Sequence, residues 1–553
     1  MLQLRWFRFN FAAGQGQKLG MSLPRAFTPL RHATFRMLWI ATLASNIGLW
    51  IQNTGAGWLM TILNPDPMMV SLVQAASMLP VFLLALPAGA LADIIDRRIF
   101  LIGAQAWILA SSLLLALLTA TDSLSPWGLL ALTFAIGAGN AMNFPAWAAT
   151  TPELLPKEDL VGAIALNGIS FNIARAVGPA VGGFAIAFAG PEAAFVLNAV
   201  CFLWLIVVLV VWKPEARHQR MPPEHLVSAM RAGLRFVRAT PAMHAAILRS
   251  CVFFLFTAAI WGLMPLFVRQ QLGLGPEAFG LMLAAMGCGA VAAGFGLPLA
   301  RARFSRDQLV FGASLLAAAG MGILAVSHHW APAIFGMVMF GAAWICAGAT
   351  LSTAAQLACP SWVRARAIAI YQLCFFGAMA LGSAFAGWLG GKFGVAPGLG
   401  VLAAGSAVSA LLVRGWHLDH GAPSGGVQMA PDAPPIPKPA AAAAELRGLL
   451  HENANRVLEV VRYRIDPARR DEFLACMKDV RLVRLRGGAM LWRLYEDVAN
   501  PDLYAELWAV ETWTEHLREQ GRQTPEDRAA LAAAAAFQQA GAPEAARYVN
   551  VLH

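Results

Sequence analysis

One arginine and a set of amide side chains interrupt long apolar stretches of this chain. Guanidinium and carboxamide groups form directed hydrogen bonds, so their chemistry is the binding of a polar ligand. Arg175 is the most informative of them, because an unpaired cation at the middle of a membrane helix costs about 2.5–3.5 kcal/mol on insertion scales. We therefore expect these side chains to face a cavity. The predicted substrate-binding residues are Asn46, Trp50, Gln52, Asn53, Asn140, Asn143, Asn172 and Arg175.

Each of these residues also has a structural interpretation. Asn and Gln within membrane helices commonly bond to neighbouring helices, and Arg175 can be held by carbonyl groups and by Asn172. The alternative for Arg175 is contact with an anionic substrate. Both interpretations stay open at the level of sequence, and the grouping of polar residues on several helices is consistent with a shared binding surface.

The sequence shows no arrangement of residues that suits acid–base catalysis, metal binding or disulfide formation. Apart from Glu192 at the first position of the sixth predicted span, no Asp or Glu falls within a span, so proton antiport lacks an obvious carrier, although Asp93 stands at the membrane boundary. The 7 cysteines show no CxxC spacing. We predict no catalytic residue, no metal site and no cofactor. Arg249, near the start of the seventh span, is expected to reach up to the membrane surface.

The composition indicates lipid as the solvent for most of the chain. Of the 553 residues, 58% are hydrophobic and 13% are charged. Long apolar runs in lipid must be helical, because each backbone amide needs a partner there. We predict an all-α membrane protein with twelve transmembrane helices, followed by a small α+β domain. The predicted spans are residues 37–61, 69–92, 99–121, 127–149, 162–189, 192–212, 245–268, 278–300, 308–327, 333–355, 367–391 and 396–413.

Lys and Arg concentrate in alternate loops. The loops after even-numbered spans are basic, whereas the others hold little beyond Arg269 and Lys392. Because basic loops are retained in the cytoplasm during insertion, both termini are predicted to be cytoplasmic in a bacterial inner membrane. The net charge of +10 does not indicate nucleic acid, since the chain from Leu446 onward has 15 Lys or Arg against 16 Asp or Glu.

An internal repeat divides the membrane part into two halves. Repeats of this kind place a substrate path between the halves, near the midplane. Without a gap, the matched residues are Pro156, Ala163, Ile164, Ala165, Gly178, Gly183 and Gly190 with Pro360, Ala367, Ile368, Ala369, Gly382, Gly387 and Gly394. The predicted domains are a cytoplasmic segment (1–35), a six-helix bundle (36–212), a central loop with an amphipathic helix (213–243), a second six-helix bundle (244–414), a Pro/Ala/Gly linker (415–445) and a cytoplasmic α+β domain (446–553).

Two motifs carry a family resemblance. The loop sequence GALADIIDRR resembles the signature of the major facilitator superfamily, and RAVGPAVGG in the fifth span is similar to its antiporter motif. Further similarity, as in SNIGLWIQ, is to the branch of the enterobactin exporter and the transmembrane secretion effectors. The resemblance implies a charge latch and close helix packing. The implied gating residues are Gly89, Asp93, Arg97, Arg98, Gly178, Pro179, Gly182 and Gly183.

The C-terminal domain shows strand and helix patterns in alternation. Residues 455–463, 489–496, 504–511 and 546–552 are predicted strands, and 467–482, 512–519 and 525–539 are predicted helices. VVRYRID, GAMLWRLYED and ETWTEHLREQGRQT resemble the ferredoxin-like antibiotic-biosynthesis monooxygenases. Gln520 stands where related sequences often have His, so the resemblance implies regulation or homodimerisation through the sheet rather than catalysis.

These features predict a secondary active transporter that exports a drug-like or siderophore-like molecule by alternating access. Its expected partners are a small-molecule substrate and the lipid bilayer, with no nucleic acid. The alternatives are an uptake or facilitated transporter of a small organic solute, and a membrane-tethered monooxygenase-like enzyme. The sequence names neither the substrate nor the coupling ion.

Overall fold

The structure is a computed structural model that describes residues 27–150, 154–156, 159–212, 226–360, 363–418, 457–510, 523, 525–539, 541 and 543–549. For some helical residues within these ranges, including Asp93 and Arg97, the backbone is described and the side chain is not, and only the helical backbone is described at Gly89. The predicted helix at 512–519 lies outside the described residues.

Long helices form the membrane part. The first half consists of α1 (Ala33–Leu63), α2 (Pro67–Ile94), α3 (Arg97–Ala120), α4 (Pro126–Thr150), α5 (Leu160–Ala189) and α6 (Pro191–Val211). A shorter helix, α7 (Leu226–Ala239), precedes the second half. The second half consists of α8 (Pro241–Leu266, with a π-helical turn to Gln271), α9 (Pro276–Arg303), α10 (Arg306–Val326), α11 (Trp330–Leu357), α12 (Arg364–Phe393) and α13 (Val395–Leu412).

Local sequence explains where these helices begin. Pro67, Pro191 and Pro276 stand in the first turn, where the missing amide hydrogen costs nothing. The Asp66 carboxylate accepts a hydrogen bond from the Met68 amide, and Asp96 accepts one from Ile99 at 3.1 Å. Each of the twelve long helices begins one to four residues before its predicted span, because caps, rather than hydropathy, determine where a helix starts.

Ten of these helices are long and apolar enough to cross a bilayer. The other two long helices, α1 with 31 residues and α4 with 25, pack among them. We call the end of the bundle at which α1, α3, α5, α8, α10 and α12 begin the basic end, because Arg98, Arg306 and Arg364 lie there. The other end is called the opposite end.

The two halves pack against each other through α5 with α9 and α2 with α12. Glycines allow both crossings, because they let the backbones approach closely. A Cβ atom on Gly287 of α9 would lie 2.8 Å from the Ala176 Cα, and one on Gly377 of α12 would lie 3.0 Å from the Phe82 ring.

The Arg249 side chain is buried rather than exposed at the basic end, which corrects the sequence-based prediction. Only 2% of its side chain is exposed, and it forms an ion pair with Asp307 at the start of α10. The same carboxylate accepts hydrogen bonds from the Leu418 amide and the His417 ring. An ion partner on a neighbouring helix makes exposure unnecessary, and the hydropathy pattern of α8 alone does not reveal that partner.

A separate sheet follows in the C-terminal part. Its strands are β1 (Val457–Arg464), β2 (Leu491–Glu496), β3 (Leu503–Val510) and β4 (Glu544–Val549), all antiparallel in the order β2-β3-β1-β4. Helices α14 (Arg470–Gly487) and α15 (Pro525–Ala535) contribute to the core on one face. The strand positions lie close to the predicted ones.

This domain touches the membrane part through its first helix. Helix α14 lies against α7, and α7 in turn packs against α12. At the second contact a Cβ atom on Gly233 would lie 2.9 Å from the Cβ of Arg366. The helix between the two halves therefore connects the C-terminal domain with the bundle.

Candidate functional site

A cavity of about 610 Å³ lies between the two halves. Its walls come from α1, α2, α4 and α5 on one side and α8, α9, α11 and α12 on the other. Thr42 near the start of α1 and Trp147 near the end of α4 line it, so it extends towards the basic end. A volume of this size accommodates a drug-sized molecule.

Polar side chains of the first half form one wall. Predicted residues that line the cavity are Asn46, Trp50, Gln52, Asn53, Asn140, Asn143 and Arg175. Only 6% of Arg175 is exposed, its Nη2 donates a hydrogen bond to the Asn172 Oδ1 at 2.6 Å, and its Nε is buried without a hydrogen-bond partner. The arrangement brings these side chains together, and their role as substrate contacts stays a prediction.

Asn172 does not line the cavity. Its Nδ2 donates to the Gly168 carbonyl at 2.9 Å and its Oδ1 accepts from Arg175, so the amide orients the guanidinium from within the same helix. A direct contact of this residue with the substrate stays a prediction that the observed lining of the cavity does not support. Ser170 lines the cavity, and it lies two residues earlier, which is a rotation of about 200° around the helix axis.

Some amides at the cavity wall hold helices together. The Gln52 Oε1 accepts hydrogen bonds from Asn198 of α6 and from the Ser112 hydroxyl of α3 at 3.2 Å. Asn143 accepts one from the Gln105 amide at 2.9 Å. Gln52 and Asn143 thus combine the structural role with a position on the wall.

Aromatic rings of the second half form the facing wall. Trp261 and Trp344 meet edge to face with ring centroids 5.7 Å apart, and Phe375 and Phe376 continue the surface along α12. Trp50 of α1 joins this wall, since its ring lies 5.4 Å from Trp261. Aromatic side chains offer large apolar contact area with few rotatable bonds.

Sequence reasoning missed this aromatic wall, although the repeat contains a signal for it. The offset that matches Gly178 with Gly382 also places Asn140 on Trp344 and Arg175 on Met379. These two polar positions of the first half are therefore aromatic and apolar, respectively, in the second half. Other lining residues that were missed are Gln74, Thr133, Asn167, Ser170 and Gln372.

The glycine motif of α5 lies where this helix contacts both neighbours. A Cβ atom on Gly182 would lie 3.1 Å from the Ile51 Cα in α1, and one on Gly183 would lie 3.0 Å from the Gly280 Cα in α9. Gly178 faces Trp50 of α1 in the same way. Pro179 is within α5 and buried. The motif therefore packs α5 between the halves, and its part in gating stays a prediction.

Of the three charged residues in the predicted latch, Arg98 has a described side chain. Arg98 Nε donates to the Leu209 carbonyl at 2.9 Å, and an Nη donates to Val210, so this cation caps the C-terminus of α6 within the first half. The side chains of Asp93 and Arg97 and the surroundings of Gly89 lie outside the described part of the chain.

The halves meet tightly at the opposite end. Arg269, just beyond α8, donates to the backbone carbonyl of Thr61 in α1 and lies 3.2 Å from its hydroxyl. The Ser383 hydroxyl of α12 donates to the Ser71 carbonyl of α2 at 2.9 Å. These contacts cover the cavity on this side, whereas it extends towards the basic end.

The interior of the C-terminal domain contains a buried ionic cluster. Glu506 is fully buried and accepts hydrogen bonds from Arg484 at 2.9 Å, Tyr463 at 3.0 Å and Trp492 at 3.0 Å. The Arg484 guanidinium stacks 3.6 Å from the Trp508 ring centroid. Burial, and next the Glu506 charge, raise the pKa of Tyr463 well above its usual range. Trp513, His516 and Gln520 of the segment ETWTEHLREQGRQT lie outside the described residues.

Comparison with known proteins agrees with this architecture. The chain is 25% identical over 303 residues to the MFS-type transporter YfiS of Bacillus subtilis, an alignment that covers 54% of this chain and 69% of that protein. It is 25% identical over 164 residues to the staphyloferrin A transporter of Staphylococcus aureus, covering 29% and 41% of the two chains. It is also 25% identical over 235 residues to macrolide efflux protein A of Streptococcus pyogenes, an alignment that covers 42% of this chain and 58% of that protein.

A solved structure supports the fold. The inward-facing bacterial homologue of the lysosomal transporter Spinster superposes with a TM-score of 0.58 at 13% identity, covering 71% of this chain and 97% of that one. The model of the family described as transmembrane secretion effector matches residues 24–552. The chain therefore belongs to the transmembrane secretion effector family of major facilitator superfamily transporters.

Proposed function

We propose that this transporter exports a drug-like or siderophore-like molecule by alternating access. The observation that carries the proposal is the cavity between the halves, which is covered at the opposite end and extends towards the basic end. Such a site is loaded from one side and released to the other when the halves rock. The relative named for macrolide efflux supports an outward direction, and the one named as a staphyloferrin A transporter supports a siderophore-like substrate.

The proposed topology places the basic end in the cytoplasm. The ten apolar spans, together with α1 and α4, would give twelve crossings with both termini on that side. A cavity extending towards the basic end then receives its substrate from the cell interior. The gating role of Gly89, Asp93, Arg97 and Arg98 belongs to this proposal.

For the C-terminal domain, we infer a ferredoxin-like fold that pairs with a second copy. The element order β-α-β-β-α-β and the antiparallel order β2-β3-β1-β4 support the fold. The sheet face away from the helices carries Leu491, Tyr495 and Tyr548, which are 42%, 55% and 51% exposed. An exposed apolar face is the kind of surface that homodimers bury. Light scattering of the purified chain and of Leu491→Glu tests the pairing.

The test of export is a susceptibility and metabolite screen in cells with the transporter, without it and with Gly183→Leu. Export predicts higher resistance and lower intracellular substrate only with the wild-type chain. Uptake by the same protein predicts the reverse, an increased cellular content of the substrate. The tethered-enzyme alternative predicts that the purified full chain oxidises aromatic compounds without vesicles, and no turnover across a broad panel would reject it.

A further inference from the structure

The charge of the cavity wall indicates the class of molecule that is transported, provided that the proposed export function holds. Among the described residues that line the cavity, Arg175 is the only ionisable one. The remaining polar lining groups are amides and hydroxyls, which carry no net charge. An anion in this space meets a cation without an internal counterion, whereas a cationic ligand meets uncompensated positive charge.

Arg175 is incompletely satisfied by the protein. Its side chain is more than nine-tenths buried. Its Nη2 donates a hydrogen bond to Asn172, whereas its Nε has no hydrogen-bond partner. The hydroxyls of Thr133 and Ser170 on the same wall are also buried without partners. A guanidinium has five donors in a planar fork that matches a carboxylate. Arg175 thus keeps hydrogen-bond donors that no described protein acceptor uses.

The facing wall requires a different chemistry from the ligand. Trp261, Trp344 and Phe375 are aromatic side chains of the second half, and the Phe254 ring behind them lies 4.9 Å from Trp344. Rings supported from behind in this manner form a rigid surface for another flat apolar group. The two walls belong to opposite halves, so a ligand that contacts both connects the halves.

We propose that the transported molecule is an amphipathic organic anion with an aromatic body. Its acidic group lies against Arg175 and the hydroxyls of the first half, and its aromatic body lies against the tryptophans and phenylalanines of the second half. The repeat fits this orientation, since the counterpart of Arg175 in the second half is Met379 and that of Asn140 is Trp344.

The experiment measures binding and flux separately with three probes that share one skeleton. Naphthalene-2-carboxylate is the anion, its primary amide is the neutral probe and naphthalen-2-ylmethylamine is the cation. Binding to the purified full chain in detergent is followed by calorimetry, and flux is measured in proteoliposomes. We expect the anion to bind at least about tenfold more tightly than the amide, as one charge-assisted hydrogen bond provides, and the amine to bind most weakly.

Variants assign the preference to the proposed group. Arg175→Gln should remove the advantage of the anion and leave amide binding within about twofold, whereas Arg175→Lys should retain the advantage. Arg301→Gln, the same change at an exposed site of the basic end, should have no effect. Trp344→Leu should weaken all three probes to a similar degree.

Two outcomes overturn the inference. Either the amine binds as well as the anion, or the preference for the anion persists in Arg175→Gln. Flux of probes without a charge preference rejects the substrate class and keeps the export function. If the probes bind with the expected preference but none of them is transported, the export function is rejected and the proposed anion-binding site is retained.

Discussion

Gly183 of α5 and Gly280 of α9 face each other where the two halves cross, and a Cβ atom on Gly183 would lie 3.0 Å from the Gly280 Cα. The atoms it would meet belong to the backbone of the partner helix, so a side chain rotation cannot relieve the contact. This crossing is close to the opposite end, where Arg269 and Thr61 also join the halves. The glycine motif therefore sets the separation of the halves in the observed state.

Gly183→Ala is expected to destabilise this state, because its methyl group would push α5 away from α9. Overpacking of this kind costs about 1–3 kcal/mol. The melting temperature of the purified protein in detergent should fall. Gly168→Ala in the same helix is the control, since a Cβ atom there meets nothing within 4 Å. Equal melting temperatures in the two variants would contradict the assignment.

Arg269→Gln should open the opposite end by removing its bonds to Thr61. The measurement is labelling of a cysteine placed at Gln74, in a cysteine-free background, by a membrane-impermeant maleimide added from the opposite side. Thr61→Val should give a smaller increase, because it removes the 3.2 Å side-chain contact and leaves the carbonyl. Lys392→Gln is the matched control, since that cation lies over the Trp388 ring of its own helix. Labelling as slow as in the parent would exclude this closure.

Asp93→Asn should impair transport while the protein still inserts normally, if the carboxylate forms the predicted latch. The variant removes the charge and retains the size of the side chain. Asp96→Asn is the control, because Asp96 caps α3 and asparagine caps helices equally well. Flux per inserted molecule in proteoliposomes is the readout. A wild-type rate in Asp93→Asn would remove this residue from the gating set.

Arg484→Met should destabilise the C-terminal domain by about 3–5 kcal/mol, because it leaves the buried Glu506 carboxylate without its cation. Faster hydrogen exchange of β1 and β3 in the full chain is the expected result. Arg470→Met removes a comparable pair with Glu496 at the surface and should leave this exchange unchanged. Similar exchange in both variants would show that the buried pair contributes little.

Tyr463 makes the free energy of unfolding of the C-terminal domain depend on pH in the alkaline range. The unfolded phenol ionises near its usual pKa of 10.0, whereas burial and then Glu506 raise the pKa of Tyr463 in the folded domain. The stabilisation that comes from the protonated phenol is fully present below about pH 10. It is lost as the pH rises from there towards the pKa of Tyr463 in the folded domain. Tyr463→Phe should lower stability below pH 10, and its deficit should shrink above it. Thermal melts from pH 7 to 11 test this, and a constant deficit would refute it.

Much of the architecture follows from the sequence because lipid imposes strong rules. Each apolar run has to form a helix that satisfies its own backbone, and basic loops bias orientation. The depth of Arg175 within such a run was enough to predict a cavity beside it. The glycines around Pro179 predicted close packing, since only small residues allow backbones to approach.

The tertiary structure alone decided which side chains share a space. Asn172 is predicted from the sequence to contact the substrate and Ser170 is not, yet Asn172 accepts a hydrogen bond from the Arg175 guanidinium and Ser170 lines the cavity. Gln52 proved to be bonded to Asn198, and Arg249 to Asp307, through partners distant in the chain. The aromatic wall likewise arose from four helices. A hydropathy pattern gives the depth of a residue, whereas the rotation of its helix and the identity of its neighbours result from packing.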